Sequence, residues 1–388
     1  MLKEQNYSML ADFYEFTMAN GYFKNGTGDK VCYFDLYFRS VPDDGGFAIM
    51  AGTEQVVEYL SDLKFDDKDI EYLRSRNLFD EEFLNYLKNF KFSCDVWAMP
   101  EGTPVFPNEP LVIVKGPAIQ AQLVETMLLL LVNHQTLIAT KTNRIVRAAE
   151  GRAVMEFGSR RAHGASSAIL GARAAYIAGC IGTANTLSDE LYGIPAIGTM
   201  AHSWVQMFPT EYDAFKAYAE VYPDSCTLLI DTYNVLKSGL PNAIKVFKEV
   251  ILPKIKISEN PAKITTPDFK QVYRLYDNET GKAIADVMTL HNETIDDSQP
   301  YEIFDPIHTW KRKTVTNFTA RKLLVKIFEN GEKIAQLPTL SEIREYCKEQ
   351  VETIWDEVKR FENPHTYYVD LSPKLWRVKH SLLEEYSK

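Results

Sequence analysis

His202 stands in GTMAHSW (198–204), two residues past the apolar part of a short run. An imidazole at such a run end can accept phosphate or act in catalysis, or it can be a buried histidine with satisfied hydrogen bonds. EFGSRRAHG (156–164) offers Arg160 and Arg161 just beyond another run. Two guanidiniums there suit a carboxylate or phosphate, or a surface salt bridge to Glu156. Phe157 reads as a core side chain or as a stacking platform. IDTYN (230–234) puts Asp231 at a third run end. Such an acid can orient a histidine, stand in a metal's outer shell, or cap the following helix. LADFYEFTMANGY (10–22) sets Asp12, Tyr14 and Glu15 among apolar residues, the pattern of an amphipathic helix with a buried tyrosine.

The elements that must position these residues follow from the apolar pattern. VCYFDLYFRSVP (31–42) alternates as a half-buried strand does, and GGFAIMAGTEQVVEYL (45–60) passes from an apolar run into a helix. VWAMPEGTPVFPNEPLVIVKGP (96–117) reads as tight strands and turns, and the stretch from Pro117 to Gly151 reads as long helix. From 152 to 236, four short runs alternate with helical stretches: RAVMEFGSRR, CIGTANT, AIGTMAHSW and TLLIDTYN. That rhythm predicts βαβ units and a parallel sheet, with ligands outside the carboxyl ends of the strands. It stops after PNAIKVFKEV (241–250); the region 251–277 reads as extended segments and loops, with hairpin character into GKAIADVMTL. Residues 339–361 read as a helix opened by a capping box of Thr339 and Glu342.

The chain has 388 residues, enough for two or three domains and a large core without staples. With 43 basic and 53 acidic side chains the formal charge is −10, which argues against bulk binding to nucleic acid but not against a local anion pocket. The five cysteines are odd in number and widely spaced, a pattern of reduced thiols and a cytoplasmic location. The start carries Lys3, Glu4, Asp12 and Glu15, unlike a secretory signal. MLLLLV (127–132) is too short to span a bilayer and is expected to be a buried helix, so no membrane partner is expected. No nucleotide-binding loop, zincin or serine-hydrolase motif occurs, and the remaining histidines lack metal-ligand spacing, so no protein-bound metal site is expected.

Taken together, MLADFYEFTMANGY, FDLYFRSVP, FAIMAGTEQ, PEGTPVFPNEPLVIVKGP, NHQTLIATKTNRI, EFGSRRAHG, IGTMAHSWVQMF, LLIDTYNVLKSG and KIKISENPAKITTPDFKQVYRLYD resemble nicotinate phosphoribosyltransferase, the type II phosphoribosyltransferase of NAD salvage. The resemblance covers nearly the whole chain. It implies an α/β fold, an irregular barrel flanked by an α+β domain built from both chain ends. The domains expected are an N-terminal α+β domain (1–117), a partial α/β barrel (118–250) and a C-terminal segment completing the α+β domain (251–388).

The resemblance also implies residue roles. His202 matches a phosphorylated histidine that couples ATP hydrolysis to nucleotide formation, and Thr199 a nicotinate-binding threonine. Tyr14, from the partner subunit of a dimer, and Phe157 match the two faces of a stack on the pyridine ring. Arg160 falls where related nicotinamide enzymes place a ligand-contacting arginine. Asp231 joins this set as a substrate-binding residue. Ala184 stands where those enzymes carry an aspartate, so nothing there would repel a carboxylate. Nicotinate, phosphoribosyl pyrophosphate, ATP and Mg²⁺ are the implied ligands.

The sequence departs from the family after LKSGLPNAIKVFKE. Further βα units with an R-L-D-S-G-D element, an acidic loop and a glycine-threonine phosphate loop are missing. At ~30 residues per unit, about three units are absent. The junction lies close to Lys248–Leu252. The rival expectations are a catalytically dead family member that only binds or assembles, and a nicotinamide-using relative, against which Ala184 counts.

Overall fold

The computed structural model describes residues 6–249, 269–306 and 309–378. The expected junction, beyond Glu249, and the extended segments 251–268 lie outside them. The N-terminal part comprises helices α1 (Phe13–Lys24), α2 (Thr53–Asp62), α3 (Asp67–Ser75) and α4 (Glu81–Lys88) with strands β1 (Val31–Leu36), β2 (Ala48–Ile49), β3 (Asp95–Ala98), β4 (Pro104–Val105) and β5 (Val112–Pro117). Then come helices α5 (Ala118–Gln122), α6 (Glu125–Ala148), α7 (Ala165–Ile177), α8 (Thr186–Tyr192), α9 (His202–Gln206), α10 (Glu211–Val221) and α11 (Leu240–Glu249). The C-terminal part supplies β6 (Lys270–Asp277), β7 (Ala283–Leu290), β8 (Tyr301–Phe304), β9 (Arg312–Val315), β10 (Phe318–Lys322), β11 (Val325–Glu329), β12 (Glu332–Lys333), α12 (Leu340–Thr353) and β13 (Val369–Leu371).

One sheet has the order β1-β5-β3-β11-β12, so a C-terminal strand pairs with an N-terminal one. β1 ends at Leu36, short of the expected extended stretch, and lies on the edge of this sheet with Val31, Tyr33 and Phe34 exposed. A second sheet runs β10-β6-β7-β13. Its β6–β7 hairpin closes through Asp277, whose Oδ1 accepts from Glu279 and Thr280 backbone N–H groups, while Gly281 adopts φ +67°.

α6 is the central core helix. Met127, Leu128, Leu131 and Val132 are buried, but Leu129 and Leu130 are exposed. Six consecutive residues wrap more than a full helical turn, so one packed face cannot cover them all. Residues 118–148 are long and apolar enough to cross a membrane by length and composition. Here the helix serves as a docking seam: the Thr136 and Thr140 hydroxyls accept from Ala51 and Ile49 N–H groups at 3.2 and 2.9 Å. α12 has the expected capping box but ends at Thr353, eight residues before the expected Phe361. The chain leaves the helix to bring Val358 against Gly46, where an added Cβ would lie 2.0 Å from the Val358 carbonyl oxygen. Ile354 and Val358 still bury, whereas Phe361 is exposed.

The four runs of the middle region form no full strands. The first three lie side by side through single parallel bridges, Glu156 to Thr183 and Thr183 to Ala196. Glu156 N–H donates to Gly182 O at 2.9 Å, and Ile197 N–H to Thr183 O at 2.8 Å. α7 and α8 connect them, as a βαβ rhythm requires. The fourth run, 227–234, is irregular and leads into a short π-helix, Val235–Gly239. Gly239 is needed there, since a Cβ would meet Ile230 O at 1.8 Å.

A fully buried guanidinium ties these parts together. Arg173 on α7 donates from both terminal nitrogens to Glu101 at 2.8 Å, from Nε to Glu54 of α2 at 2.8 Å, and to Gln135 of α6 at 3.1 Å. Burial alone would raise the Glu101 carboxyl, but the Arg173 charge and hydrogen bonds hold it below the usual range. Removing Glu101 takes away the forked pair and leaves the buried guanidinium with the half-exposed Glu54 as its remaining carboxylate partner. Glu101→Ala is expected to destabilise the fold by about 3–5 kcal/mol, and Glu101→Leu with Arg173→Met to recover much of that loss, by urea unfolding.

Candidate active site

The adjoining run ends form one edge of the middle region. Glu156 closes the first run, and its carboxylate accepts from Gly158 N–H and from the Thr183 hydroxyl, the latter at 2.7 Å. It thereby uses both oxygens on the backbone turn and the second run rather than on Arg160 or Arg161. Phe157 is half-buried, and Arg160 is exposed in the single 3-10 turn Ser159–Arg161. Ala184 is exposed at the second run end. Thr199, exposed past the third, donates to Met200 O at 3.2 Å.

His202 opens α9 with its ring exposed. Its Nδ1 lies 3.2 Å from the Thr232 hydroxyl, and its Nε2 lies 3.9 Å from Asp231 Oδ1. The histidine is thus not a buried core residue. Asp231 caps no helix: Asn234 accepts from Lys237 N–H at 2.8 Å and takes that place. The loop is held further by Ser238, which donates to the buried Glu211 of α10. The imidazole, with one nitrogen near a hydroxyl and the other near an exposed carboxylate, can accept a phosphoryl group or take a proton. Thr232 escaped sequence reasoning; its place beside Asp231 in IDTYN was the available signal.

Tyr14 is placed by different elements. It is exposed on α1, contrary to the buried tyrosine expected there, and its hydroxyl bonds to Glu125 of α6. Partial burial and that carboxylate push the phenol up to about 12. The buried acid of α1 is Glu15, whose Oε1 accepts from Thr126 N–H and hydroxyl at 3.2 and 2.5 Å. It caps the start of α6, which lacks a side-chain cap of its own. Among the described residues, no group of three or more His, Cys, Asp or Glu side chains could hold a metal ion.

A family model described as the nicotinate phosphoribosyltransferase (NAPRTase) N-terminal domain matches residues 9–133, and one described as the C-terminal domain matches 269–379. A nicotinate phosphoribosyltransferase of Bacillus subtilis is 34% identical over 473 aligned positions, covering 99% of this chain and 96% of its own. The chain belongs to the nicotinate phosphoribosyltransferase family. A second relative, nicotinate phosphoribosyltransferase pncB2 of Mycobacterium tuberculosis, is 45% identical over 63% of this chain and 52% of its own. The crystal structure of human nicotinic acid phosphoribosyltransferase shares the fold with TM-score 0.85 and 24% identity, over 98% of this chain and 100% of that one. Nicotinate-nucleotide pyrophosphorylase from Pyrococcus furiosus shares it with TM-score 0.66 and 21% identity, over 91% and 96% of the two chains.

In this member of the nicotinate phosphoribosyltransferase family, burial raises the Glu15 carboxyl from its ordinary 4.5 to about 7, with Glu125 adding to the rise and the Thr126 bonds opposing it. The folded state therefore keeps a proton that the unfolded chain has released across that interval. Stability from this group is present below about pH 4.5 and is lost as pH rises through about 7. Glu15→Gln is expected to flatten that decline in urea midpoints measured from acid to neutral pH.

Proposed function

We propose that this chain joins nicotinate to phosphoribosyl pyrophosphate, forming nicotinate mononucleotide and pyrophosphate, in NAD salvage. ATP hydrolysis is coupled through phosphorylation of His202. The single observation that carries the reading is His202 lying against Thr232 and Asp231 at run ends that also bear Phe157, Arg160 and Thr199, in a chain of this family.

The chemistry asks little covalent work of the protein. Arg160 meets the nicotinate carboxylate, Phe157 lies under the flat ring, and Thr199 adds a hydroxyl contact. Ala184 presents no acid to repel the carboxylate. The ring nitrogen attacks the anomeric carbon as pyrophosphate departs, so the product pyridinium takes the positive charge. Positioning is the main gain in that step. Separately, the γ-phosphoryl of ATP passes to a nitrogen of His202, releasing ADP, and hydrolysis of the phosphohistidine returns phosphate. Asp231 would stand in the outer shell of a Mg²⁺ ion carried in with the phosphates, and the ion would neutralise their charge.

Tyr14 completes the stack from a second copy of the chain. Support comes from the exposed apolar residues Phe13, Tyr14 and Met18 of α1, and from Leu129 and Leu130, exposed one turn beyond the Thr126 contact on α6. Five free cysteines support a reducing, cytoplasmic setting. The barrel is incomplete in this reading. The B. subtilis alignment runs over 473 positions against 388 residues here, and Tyr233, Leu236, Leu240 and Ile244 stand exposed around the last run.

Labelled nicotinate with ATP and phosphoribosyl pyrophosphate is expected to give labelled mononucleotide. Product from nicotinamide alone would point to the nicotinamide-using relative, and no product to a family member that only binds or assembles. His202→Ala is expected to abolish ATP hydrolysis and phosphate incorporation while nicotinate still binds. Equal ATP hydrolysis in both proteins would overturn the role given to His202.

A further inference from the structure

We infer that Glu156 is a positioning residue for the nicotinate subsite, tying the turn that bears Phe157 and Arg160 to the run end that bears Ala184. The inference rests on the proposed function and assigns a role to a side chain that touches no substrate in it. Sequence reasoning gave Glu156 only the part of a surface partner for an arginine. The structure gives it a different set of contacts.

The hydrogen bonds form a directed chain. Asn185 caps α8, its Oδ1 accepting from Leu187 and Ser188 N–H groups at 3.1 and 3.4 Å. Asn185 N–H donates to Thr183 Oγ1 at 3.0 Å. The Thr183 hydroxyl has one proton, and it goes to Glu156 Oε2 at 2.7 Å. Glu156 Oε1 then accepts from Gly158 N–H. Backbone bonds run alongside, with Ala184 N–H donating to Glu156 O at 2.9 Å. Thr183 is wholly buried and Glu156 half-buried, so the donor end of this link lies inside the fold.

Gly158 adds a second, steric observation. Its backbone dihedrals are ordinary, φ −88° and ψ −10°, so the glycine is not there for conformational freedom. A Cβ at this position would lie 2.8 Å from Glu156 Oε1. The missing side chain is the space into which the carboxylate closes. Two consequences follow for the subsite. The turn carrying Phe157 and Arg160 is held before ligand arrives, which lowers the ordering cost of binding. The acid is also directed at protein donors, leaving the Arg160 guanidinium to a substrate carboxylate.

Thr183→Val keeps the side-chain shape and removes the hydroxyl, whereas Thr183→Ser keeps the hydroxyl. Steady-state kinetics and calorimetric titration with nicotinate on the full chain read the result. Thr183→Val and Glu156→Ala are expected to weaken nicotinate binding, in both KM and Kd, by about tenfold. The kcat and the KM for phosphoribosyl pyrophosphate should stay near their original values, and Thr183→Ser should restore nicotinate binding. If Glu156→Ala does not fold, the valine and serine pair decides alone. Unchanged nicotinate affinity in Thr183→Val, or a serine variant as weak as the valine one, overturns the inference. So does a parallel loss in kcat and in phosphoribosyl pyrophosphate KM, which marks general loosening. A parent chain that binds no nicotinate overturns the proposed function as well, whereas a parent that binds it with unaffected variants overturns Glu156 alone.

Discussion

The buried guanidinium of Arg173 is the constraint on which the arrangement of parts depends. α7 follows the first run end and leads to the second, and its side chain reaches Glu54, Glu101 and Gln135 on three other segments. An arginine is costly to desolvate, and here that cost is offset by charge-assisted bonds to two carboxylates in forked geometry. Glu101 is held in turn by Gly52 N–H. The edge carrying Phe157, Arg160 and Ala184 is thereby referenced to α2, α6 and the turn after β3, although the runs themselves pair through single bridges.

Short hydroxyl side chains do the fine placement at that edge. Thr183 joins the first and second runs through Glu156, and Thr232 meets the His202 ring. Both are compact and β-branched, so few rotamers are available and little entropy is lost in holding a bond. The same economy appears at Glu211, which anchors the loop of Asp231 through Ser238 and Asn242. A site assembled from loops after incomplete strands needs such cross-links, because strand pairing does not supply them.

Much of the architecture was legible in the residues. The capping box of Thr339 and Glu342, the hairpin turn at Asp277–Gly281, and the helix beginning after Pro117 follow from local chemistry. The family was legible too, because many motifs occur in one order, and its matched domains bracket the middle region. The strand-like runs of that region were less so: their apolar content suggested strands, but pairing is a property of two segments, and the fourth run found no regular partner. Tyr14 was assigned to the interior from its apolar neighbours, yet Glu15 is the buried residue, because Thr126 supplies donors for its carboxylate.

By itself, then, the amino-acid order determined what depends on near neighbours: helix starts, turns, the composition of the core, and the motifs that mark the family. Tertiary structure decided where α12 stops, which leucines of MLLLLV face outward, and which partner each polar group takes. His202 meets a hydroxyl 30 residues away, Arg173 a carboxylate 72 residues away, and Gly46 the backbone of Val358. No periodicity encodes such meetings, since each is set by the packing of whole elements and by the need of every buried polar group for a partner.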